Sequence, residues 1–189
     1  MKIGLYFGSF NPIHIGHLII AEHVLNFADI KQIWFVISPQ NPFKLATSLL
    51  NEYNRLHLIQ TAIEGVTNMK ASKVEFSLPK PSYTIDTLTY LKEQYPQHEF
   101  AVIMGSDSFS NLSKWKNYEV IIKNHLIYIF NRPNFKVNNI IGATIEILNA
   151  PLLDISSTHI RNLIKEKKSI KYLVPDVVME EINSNNYYK

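Results

Sequence analysis

The sequence predicts an α/β fold with a doubly wound parallel sheet, built as a single domain over residues 1–189. Short apolar strand patterns alternate along the chain with longer patterns of helical spacing, and strands joined by crossover helices pair in parallel. The first strand also opens onto a turn rich in glycine, serine, asparagine and proline, which leads directly into a helix. This strand–turn–helix unit is typical of nucleotide-binding domains, whose ligands lie at the carboxyl ends of the strands.

Six strands and their connecting helices are predicted from this alternation. Strands are expected at residues 3–7, 32–37, 73–76, 99–104, 126–130 and 144–148. Helices are expected after Gly16, over residues 51–64 with Gly65 as the stop signal, from a cap at Ser82 or Thr84 to residue 94, and after residues 156–158. No internal repeat or interdomain linker interrupts the pattern, which favours one domain.

Composition excludes several classes of function. Hydrophobic residues make up 46% and charged residues 19% of the chain, which is ordinary for a soluble globular protein. The formal charge of +3 is modest and spread out, so no nucleic-acid partner is expected. The absence of cysteine excludes disulfides, thiolate metal sites and redox chemistry at sulfur. There is no long apolar run and no signal-peptide pattern, so we expect a cytoplasmic protein without a membrane partner.

Two histidines, His14 and His17, lie at the start of the first predicted helix. A helix N-terminus has unpaired N–H groups and about half a unit of positive charge, so it attracts phosphate. Imidazoles placed there can donate hydrogen bonds to phosphoryl oxygens as negative charge develops on them. The alternative is that both histidines are polar helix-start residues without a ligand.

Loops after the second and fourth strands carry further candidate ligand groups. Lys44 follows the second strand and could reach a phosphate chain, although a solvated surface lysine is the simpler interpretation from the residues alone. Gly105 and Asp107 follow the fourth strand. The glycine admits a ligand close to the backbone, and the aspartate could accept from ribose hydroxyls or bind Mg²⁺. A helix-capping aspartate is the alternative.

A second candidate phosphate site lies near the other end of the chain. Ser156, Ser157 and Thr158 precede an amphipathic segment and are expected to form a helix N-cap with exposed backbone N–H groups. Arg161 lies one turn further on, beside the same helix start. We expect this site to face the two histidines across the ligand, unless it is only a cap with a surface arginine.

Both candidate sites carry a family resemblance. Gly8-Ser-Phe-Asn-Pro-Ile-His-Ile-Gly-His17 resembles the G-[ST]-F-[DN]-P-x-H-x-G-H signature of the nucleotidylyltransferase superfamily. Ile155-Ser-Ser-Thr-His-Ile-Arg161 is similar to that superfamily's second signature, I-S-S-T-x-[IV]-R. The resemblance implies a Rossmann-like nucleotidylyltransferase fold. It also implies that ATP is bound by Gly8, Ser9, Phe10, Lys44, Gly105, Asp107, Ser156, Ser157 and Thr158.

The middle of the chain narrows the resemblance to bacterial nicotinate mononucleotide adenylyltransferases. Residues 82–88, Ser-Tyr-Thr-Ile-Asp-Thr-Leu, resemble their S-Y-T-x-D-T-L segment, and residues 105–115 resemble G-x-D-x-x-x-x-L-x-x-W. Residues 131–133, Asn-Arg-Pro, resemble their R-P segment. Asn11 stands where many members have aspartate, and both are short turn formers. The resemblance implies that the acceptor nucleotide is held by Tyr83, Thr84, Trp115 and Arg132. Trp115 as an ordinary core aromatic remains open.

The implied reaction is transfer of AMP from ATP to nicotinate mononucleotide, which forms deamido-NAD and releases pyrophosphate. His14, His17 and Arg161 are the implied catalytic residues, and Mg²⁺ is expected to enter with ATP rather than on dedicated protein ligands. Adenylyltransferases for other phosphorylated acceptors, such as nicotinamide mononucleotide or phosphopantetheine, remain alternatives, as do cytidylyltransferases and a silent nucleotide-binding module. Because a carboxylate is met by N–H donors, a preference for nicotinate of about tenfold or more in kcat/KM is expected. The sequence leaves a homo-oligomer open.

Overall fold

Six strands and seven α-helices follow one another in a computed structural model that describes residues 1–40 and 49–189. The strands are β1 (Lys2–Gly8), β2 (Gln32–Ile37), β3 (Met69–Ser72), β4 (Glu99–Gly105), β5 (Ile127–Phe130) and β6 (Ile145–Leu148). The helices are α1 (Ile15–Phe27), α2 (Glu52–Ala62), α3 (Thr84–Gln94), α4 (Ser106–Phe109), α5 (Tyr118–Asn124), α6 (Ser157–Lys165) and α7 (Asp176–Ser184). Short 3-10 helices occur at Val74–Ser77 and Leu112–Lys114.

The strands form one parallel sheet in the order β3-β2-β1-β4-β5-β6. Tyr6 of β1 pairs with Phe35 of β2 on one side and with Ile103 of β4 on the other. Strand order reverses direction between β1 and β4, so a crevice opens beyond their carboxyl ends. The predicted doubly wound parallel sheet is confirmed.

Hydrophobic cores lie on both faces of the sheet. Ile3 and Leu5 of β1 point to the face covered by α3 and α5, whereas Tyr6 points to the face covered by α1, α2 and α7. This alternation is the two-residue period of a strand. Because both faces are covered, the central strands are apolar throughout, which is why their sequence patterns were easy to recognise.

The third strand was predicted at the wrong place. Residues 73–76 alternate polar and apolar side chains, but the strand that pairs with β2 is Met69–Ser72, and Val74–Ser77 is a 3-10 helix. Glu75 is buried there and accepts a hydrogen bond from Thr87 Oγ1 at 2.9 Å. The local conformation is therefore set by tertiary contacts of the buried Glu75 carboxyl group. The alternation of polar and apolar residues along the sequence does not indicate such contacts.

Further differences from the sequence-based expectation concern the helices. The N-cap of α3 is Tyr83, without a side-chain cap hydrogen bond, so the expected cap at Ser82 or Thr84 is wrong. Helices α4, α5 and α7 were not predicted; in α7, Glu181 Oε2 lies 3.4 Å from His57 Nε2 of α2. Lys44 lies outside the described residues. Across residues 1–40 and 49–189, no helix has the length and apolar character needed to cross a membrane.

Candidate active site

A cavity of about 650 Å³ lies beyond the carboxyl ends of β1 and β4. Two loops form much of its wall: residues 8–17, here called the histidine loop, and residues 155–161, here called the arginine loop. The predicted site residues that border the cavity are Gly8, Ser9, Phe10, His14, His17, Gly105, Asp107, Trp115, Arg132, Ser156, Ser157, Thr158 and Arg161. The structure therefore brings together residues that are far apart in sequence.

The two histidine rings stack on each other at the start of α1. Their centroids are 3.6 Å apart and their planes are inclined by 22°. The backbone N–H of His14 donates to His17 Nδ1 at 3.3 Å. Because Nδ1 is the acceptor of this hydrogen bond, the proton of the ring is assigned to Nε2, which makes that atom a donor.

His14 is uncharged at neutral pH. The residue is only 2% exposed, and burial, with a smaller contribution from the charge of Arg132, lowers its pKa to about 3. Its Nδ1 is buried without a hydrogen-bond partner within residues 1–40 and 49–189. A Cβ on Gly16 would lie 3.1 Å from that atom, so glycine lets the ring pack against the backbone.

The turn between β1 and the histidines is held in an uncommon conformation. Phe10 has φ of 45°, in the left-handed region. Gly8 lies beneath its ring, where a Cβ would come 2.9 Å from Phe10 Cζ. Ser9 is buried, and its hydroxyl has no hydrogen-bond partner among the described residues. A buried unpaired hydroxyl beside a cavity is well placed to meet a polar ligand.

The arginine loop contacts the histidine loop directly. Ser156 caps α6 by accepting from the N–H of His159 at 3.2 Å, as predicted. Ser157 Oγ donates to the Pro12 carbonyl at 2.8 Å. Arg161 Nη1 donates to the Asn11 carbonyl at 2.8 Å, and Nη2 donates to Thr158 Oγ1 at 3.2 Å. The two loops therefore form one continuous wall.

The end of β4 supplies an acidic group to the same cavity. A Cβ on Gly105 would overlap Asp107 Oδ1, so glycine leaves room for that carboxylate. Asp107 lies in the first turn of α4, but the N-cap is Gly105, and no side chain caps this helix. The backbone N–H of Arg132 donates to Ser106 Oγ at 2.9 Å, and this hydrogen bond fixes the loop after β5 against the start of α4.

Comparisons with known proteins show the family of this chain. The cytidylyltransferase-like family matches residues 5–163. A Flavobacterium johnsoniae protein is 52% identical over all of both chains. A Cytophaga hutchinsonii protein is 49% identical and covers 100% of this chain and 98% of its own. Both are named "Probable nicotinate-nucleotide adenylyltransferase". This chain belongs to the nicotinate-nucleotide adenylyltransferase family.

The fold of this adenylyltransferase agrees with that of a solved structure. A Plasmodium falciparum nicotinic acid mononucleotide adenylyltransferase complexed with NaAD superposes with a TM-score of 0.85. The two proteins are 24% identical, and the superposition covers 99% of this chain and 97% of the other. At that identity the likeness establishes the fold alone. The family relationship, which rests on the more similar proteins, makes this chain a nucleotidyltransferase.

Two of the four acceptor residues implied for this adenylyltransferase do not border the cavity. Tyr83 and Thr84 lie at the start of α3, outside the described lining, whereas Trp115 and Arg132 belong to it. Lys116 links the two groups, because its Nζ lies 4.8 Å from the centre of the Tyr83 ring. The Lys116 ammonium also contacts both carboxylate oxygens of Asp86, at 3.0 and 2.9 Å.

The buried Arg55 of α2 is a functional candidate in this adenylyltransferase that the sequence motifs do not indicate. Its guanidinium donates to backbone carbonyls of the loops after β1 and β2. A signal was present in the sequence, because Arg55 lies four residues before Ile59 on the buried face of the helix. An arginine on an apolar helix face indicates a guanidinium that is buried and hydrogen-bonded to other parts of the protein.

Proposed function

We propose that this enzyme transfers AMP from ATP to the phosphate of nicotinate mononucleotide, forming deamido-NAD and pyrophosphate in NAD biosynthesis. The observation that carries the proposal is the single cavity in which the stacked His14 and His17 meet Arg161. One wall thus offers neutral N–H donors and a fixed cation to a chain of phosphates. Residues 1–189 act in this proposal as one cytoplasmic catalytic domain.

The chemistry requires alignment more than acid–base catalysis. An acceptor phosphate with a second pKa near 6 is largely ionised at neutral pH, so its oxygen attacks the α-phosphorus without a general base. The bond from the α-phosphorus to the oxygen between the α- and β-phosphates breaks as the new bond forms, and that oxygen leaves with pyrophosphate. His17 Nε2–H and the neutral His14 donate to the α- and β-phosphate oxygens, where negative charge must be stabilised.

The arginine loop is suited to the departing pyrophosphate. The N-terminus of α6 presents N–H groups at Ser156–Thr158, and helix N-termini attract phosphate. Arg161 engages two protein acceptors, and a guanidinium has five N–H donors. The remaining donors are available to a phosphate. Lys44 is proposed to assist at the same phosphates, as the family resemblance implies.

Mg²⁺ is proposed to enter as part of the MgATP substrate. In the described ranges no group of three or more histidine, aspartate or glutamate side chains could hold a metal ion. Asp107 is the one carboxylate among the described residues that line the cavity. It is assigned to the adenosine ribose or to the water shell of the nucleotide-bound ion.

The acceptor is proposed to stack its pyridine ring on Trp115, with Arg132 beside its phosphate and Tyr83 and Thr84 at the far side of the ring. Trp115 is half-buried and borders the cavity. Lys114 and Lys116 flank it in the sequence, whereas the backbone N–H groups of Lys114 and Trp115 already donate to the carbonyls of Asn111 and Leu112 at 3.0 and 2.9 Å. The carboxylate at this end, Asp86, is already paired with Lys116. A nicotinate carboxylate is therefore attracted by the positive charge of Lys114, which a neutral amide is not.

Steady-state kinetics with a panel of acceptors tests the proposal. The wild-type enzyme with MgATP should favour nicotinate mononucleotide over nicotinamide mononucleotide by about tenfold or more in kcat/KM. Phosphopantetheine should be a negligible substrate. Trp115→Ala should raise KM for the nucleotide acceptor much more than KM for ATP, with Trp115→Phe intermediate.

Three results would change the conclusion. Equal use of acid and amide would contradict the specificity while leaving the adenylyltransferase assignment in place. Preference for phosphopantetheine would assign another acceptor. ATP binding without turnover of any acceptor would indicate a silent nucleotide-binding module.

A further inference from the structure

Arg55 is a fully buried cation that lies outside the described lining of the cavity. Its side chain extends from α2 and is 0% exposed. In the described part of the chain, no carboxylate comes within ion-pair distance of its guanidinium. Backbone carbonyls take that place. Nε donates to the Leu50 carbonyl at 2.8 Å, Nη1 to those of Ser9 and, at 2.9 Å, Ser38, and Nη2 to Pro39 at 3.4 Å.

These four carbonyls belong to three separate segments. Ser9 lies in the histidine loop, Ser38 and Pro39 follow β2, and Leu50 precedes α2. The N–H of Leu50 also donates to Asn11 Oδ1 at 3.1 Å, which gives a second connection to the histidine loop. A planar guanidinium with donors fixed in a fork can satisfy several carbonyls at once, whereas an ammonium acts as a point charge.

Arg55 and Arg161 hold opposite ends of one short turn. Arg55 donates to the carbonyl of Ser9, and Arg161 donates to that of Asn11. Between these residues lies Phe10 with its left-handed backbone. A non-glycine residue keeps such a conformation only when its surroundings over-determine it. The two guanidiniums provide that constraint from the two flanking carbonyls.

We propose that Arg55 is a positioning residue for the transfer reaction. It fixes the Ser9 carbonyl and, through it, the direction of the neighbouring N–H groups and the placement of the histidine rings, without touching a substrate. This inference rests on the function proposed above and adds a residue that neither signature contains. Loss of Arg55 is expected to lower kcat rather than to raise KM, because misplaced phosphate contacts destabilise the transition state more than they weaken initial binding.

Arg55→Lys is the primary test, since it keeps a positive charge and loses the fork. In the folded variant, kcat should fall by about tenfold or more, while KM for ATP and for nicotinate mononucleotide should change by less than about threefold. Leu58→Ala is the matched control, because Leu58 is fully buried on the same helix and is not part of the cavity lining. That variant should lose thermal stability but keep kcat within about twofold.

Methylguanidinium provides a readout that a purely structural role would not give. Added to Arg55→Ala, it should restore part of kcat in a saturable manner, whereas methylammonium should not. Wild-type kcat in folded Arg55→Lys would overturn the proposal, as would an equal kcat loss in Leu58→Ala. Absence of turnover in the wild-type protein would instead refute the proposed function, so the two failures are distinguishable.

Hydrogen exchange of the wild-type protein tests the inference even if the variants do not fold. Binding of a non-hydrolysable ATP analogue should slow amide exchange at residues 55–59 of α2, which lie outside the cavity lining, as well as at residues 8–11. Protection confined to residues 8–11 would overturn the proposal, because a rigid connection through Arg55 must stabilise both segments.

Discussion

The histidine loop and the arginine loop, which are proposed to bind the same phosphate chain, differ in burial and in backbone conformation. In the histidine loop, Ser9, Asn11 and His14 are buried, and Phe10 has a left-handed backbone. The arginine loop is an ordinary capped helix start, in which Ser156 and Thr158 are exposed and Arg161 is half-buried. One loop offers fixed donors in a dry setting, and the other offers charge at a solvated edge.

The difference predicts which loop contributes more to the transition state. A hydrogen bond in a water-excluded site is stronger than one exposed to solvent, and preorganised donors need no reorganisation during the reaction. Charges at a solvated edge are screened and contribute less per contact. The histidine loop should therefore dominate catalysis, and the arginine loop should mainly assist the leaving group.

The largest expected effect is that of His17→Ala. Removing the Nε2–H donor should lower kcat by about 10²–10³-fold, as for a single preorganised donor to a developing charge. His159→Ala is the matched control, because that side chain is exposed on α6 and does not line the cavity. Steady-state turnover by a correctly folded His17→Ala variant at the wild-type rate would remove the histidine from the mechanism.

The second effect is the pH dependence of stability, which reports burial of the histidine loop. His14 has a folded-state pKa of about 3 and an unfolded pKa near 6.5, so below pH 6.5 the unfolded state binds the extra proton. Stability is therefore lost as pH falls from about 6.5 towards 3, by about 2 kcal/mol between pH 7 and pH 5.

Urea denaturation of the ligand-free protein at pH 7 and pH 5 measures this loss. The difference between wild type and His14→Asn isolates the contribution of His14, since other titrating groups are shared. The variant should show a shallower pH dependence. Identical pH dependence in both proteins would mean that His14 is solvated and that the two loops do not differ in the way described.

Arg161→Ala should have a smaller effect on kcat than His17→Ala. We expect a loss of about tenfold, which corresponds to roughly 1.4 kcal/mol of transition-state stabilisation. Arg161→Lys should recover only part of it, because an ammonium keeps the charge but does not reproduce the two contacts of the guanidinium, to the Asn11 carbonyl and Thr158 Oγ1. If Arg161→Ala were more damaging than His17→Ala, the ranking of the two loops would be reversed.

Asp107→Ala is expected to have the smallest effect. It should raise KM for ATP by about three- to tenfold through the loss of one hydrogen-bonded group, with little change in Tm. The Tm is expected to hold because Gly105, not Asp107, is the N-cap of α4. A marked drop in Tm with unchanged kinetics would restore the helix-cap interpretation that the sequence left open.

The sequence by itself determined the sheet, most of its elements and the location of the site. Strand and helix periods are local properties, so the strands at residues 32–37 and 99–104 and the helix ending at residue 94 could be recognised without tertiary information. The two signatures also named the histidine loop and the arginine loop in advance. Residue type and spacing suffice there because the start of any helix has unpaired N–H groups that attract phosphate.

Tertiary structure decided the position of β3, the contacts between the two loops and the environments of the buried side chains. β3 lies at Met69–Ser72 because pairing with β2 selects those residues, and Glu75 is turned inward to meet Thr87. The contact between Arg161 and Asn11 joins residues 150 positions apart. Burial keeps His14 neutral. The folded loops around α2 bring four backbone carbonyls to the guanidinium of Arg55. Such properties depend on what the folded chain packs around a side chain, and local spacing does not specify that environment.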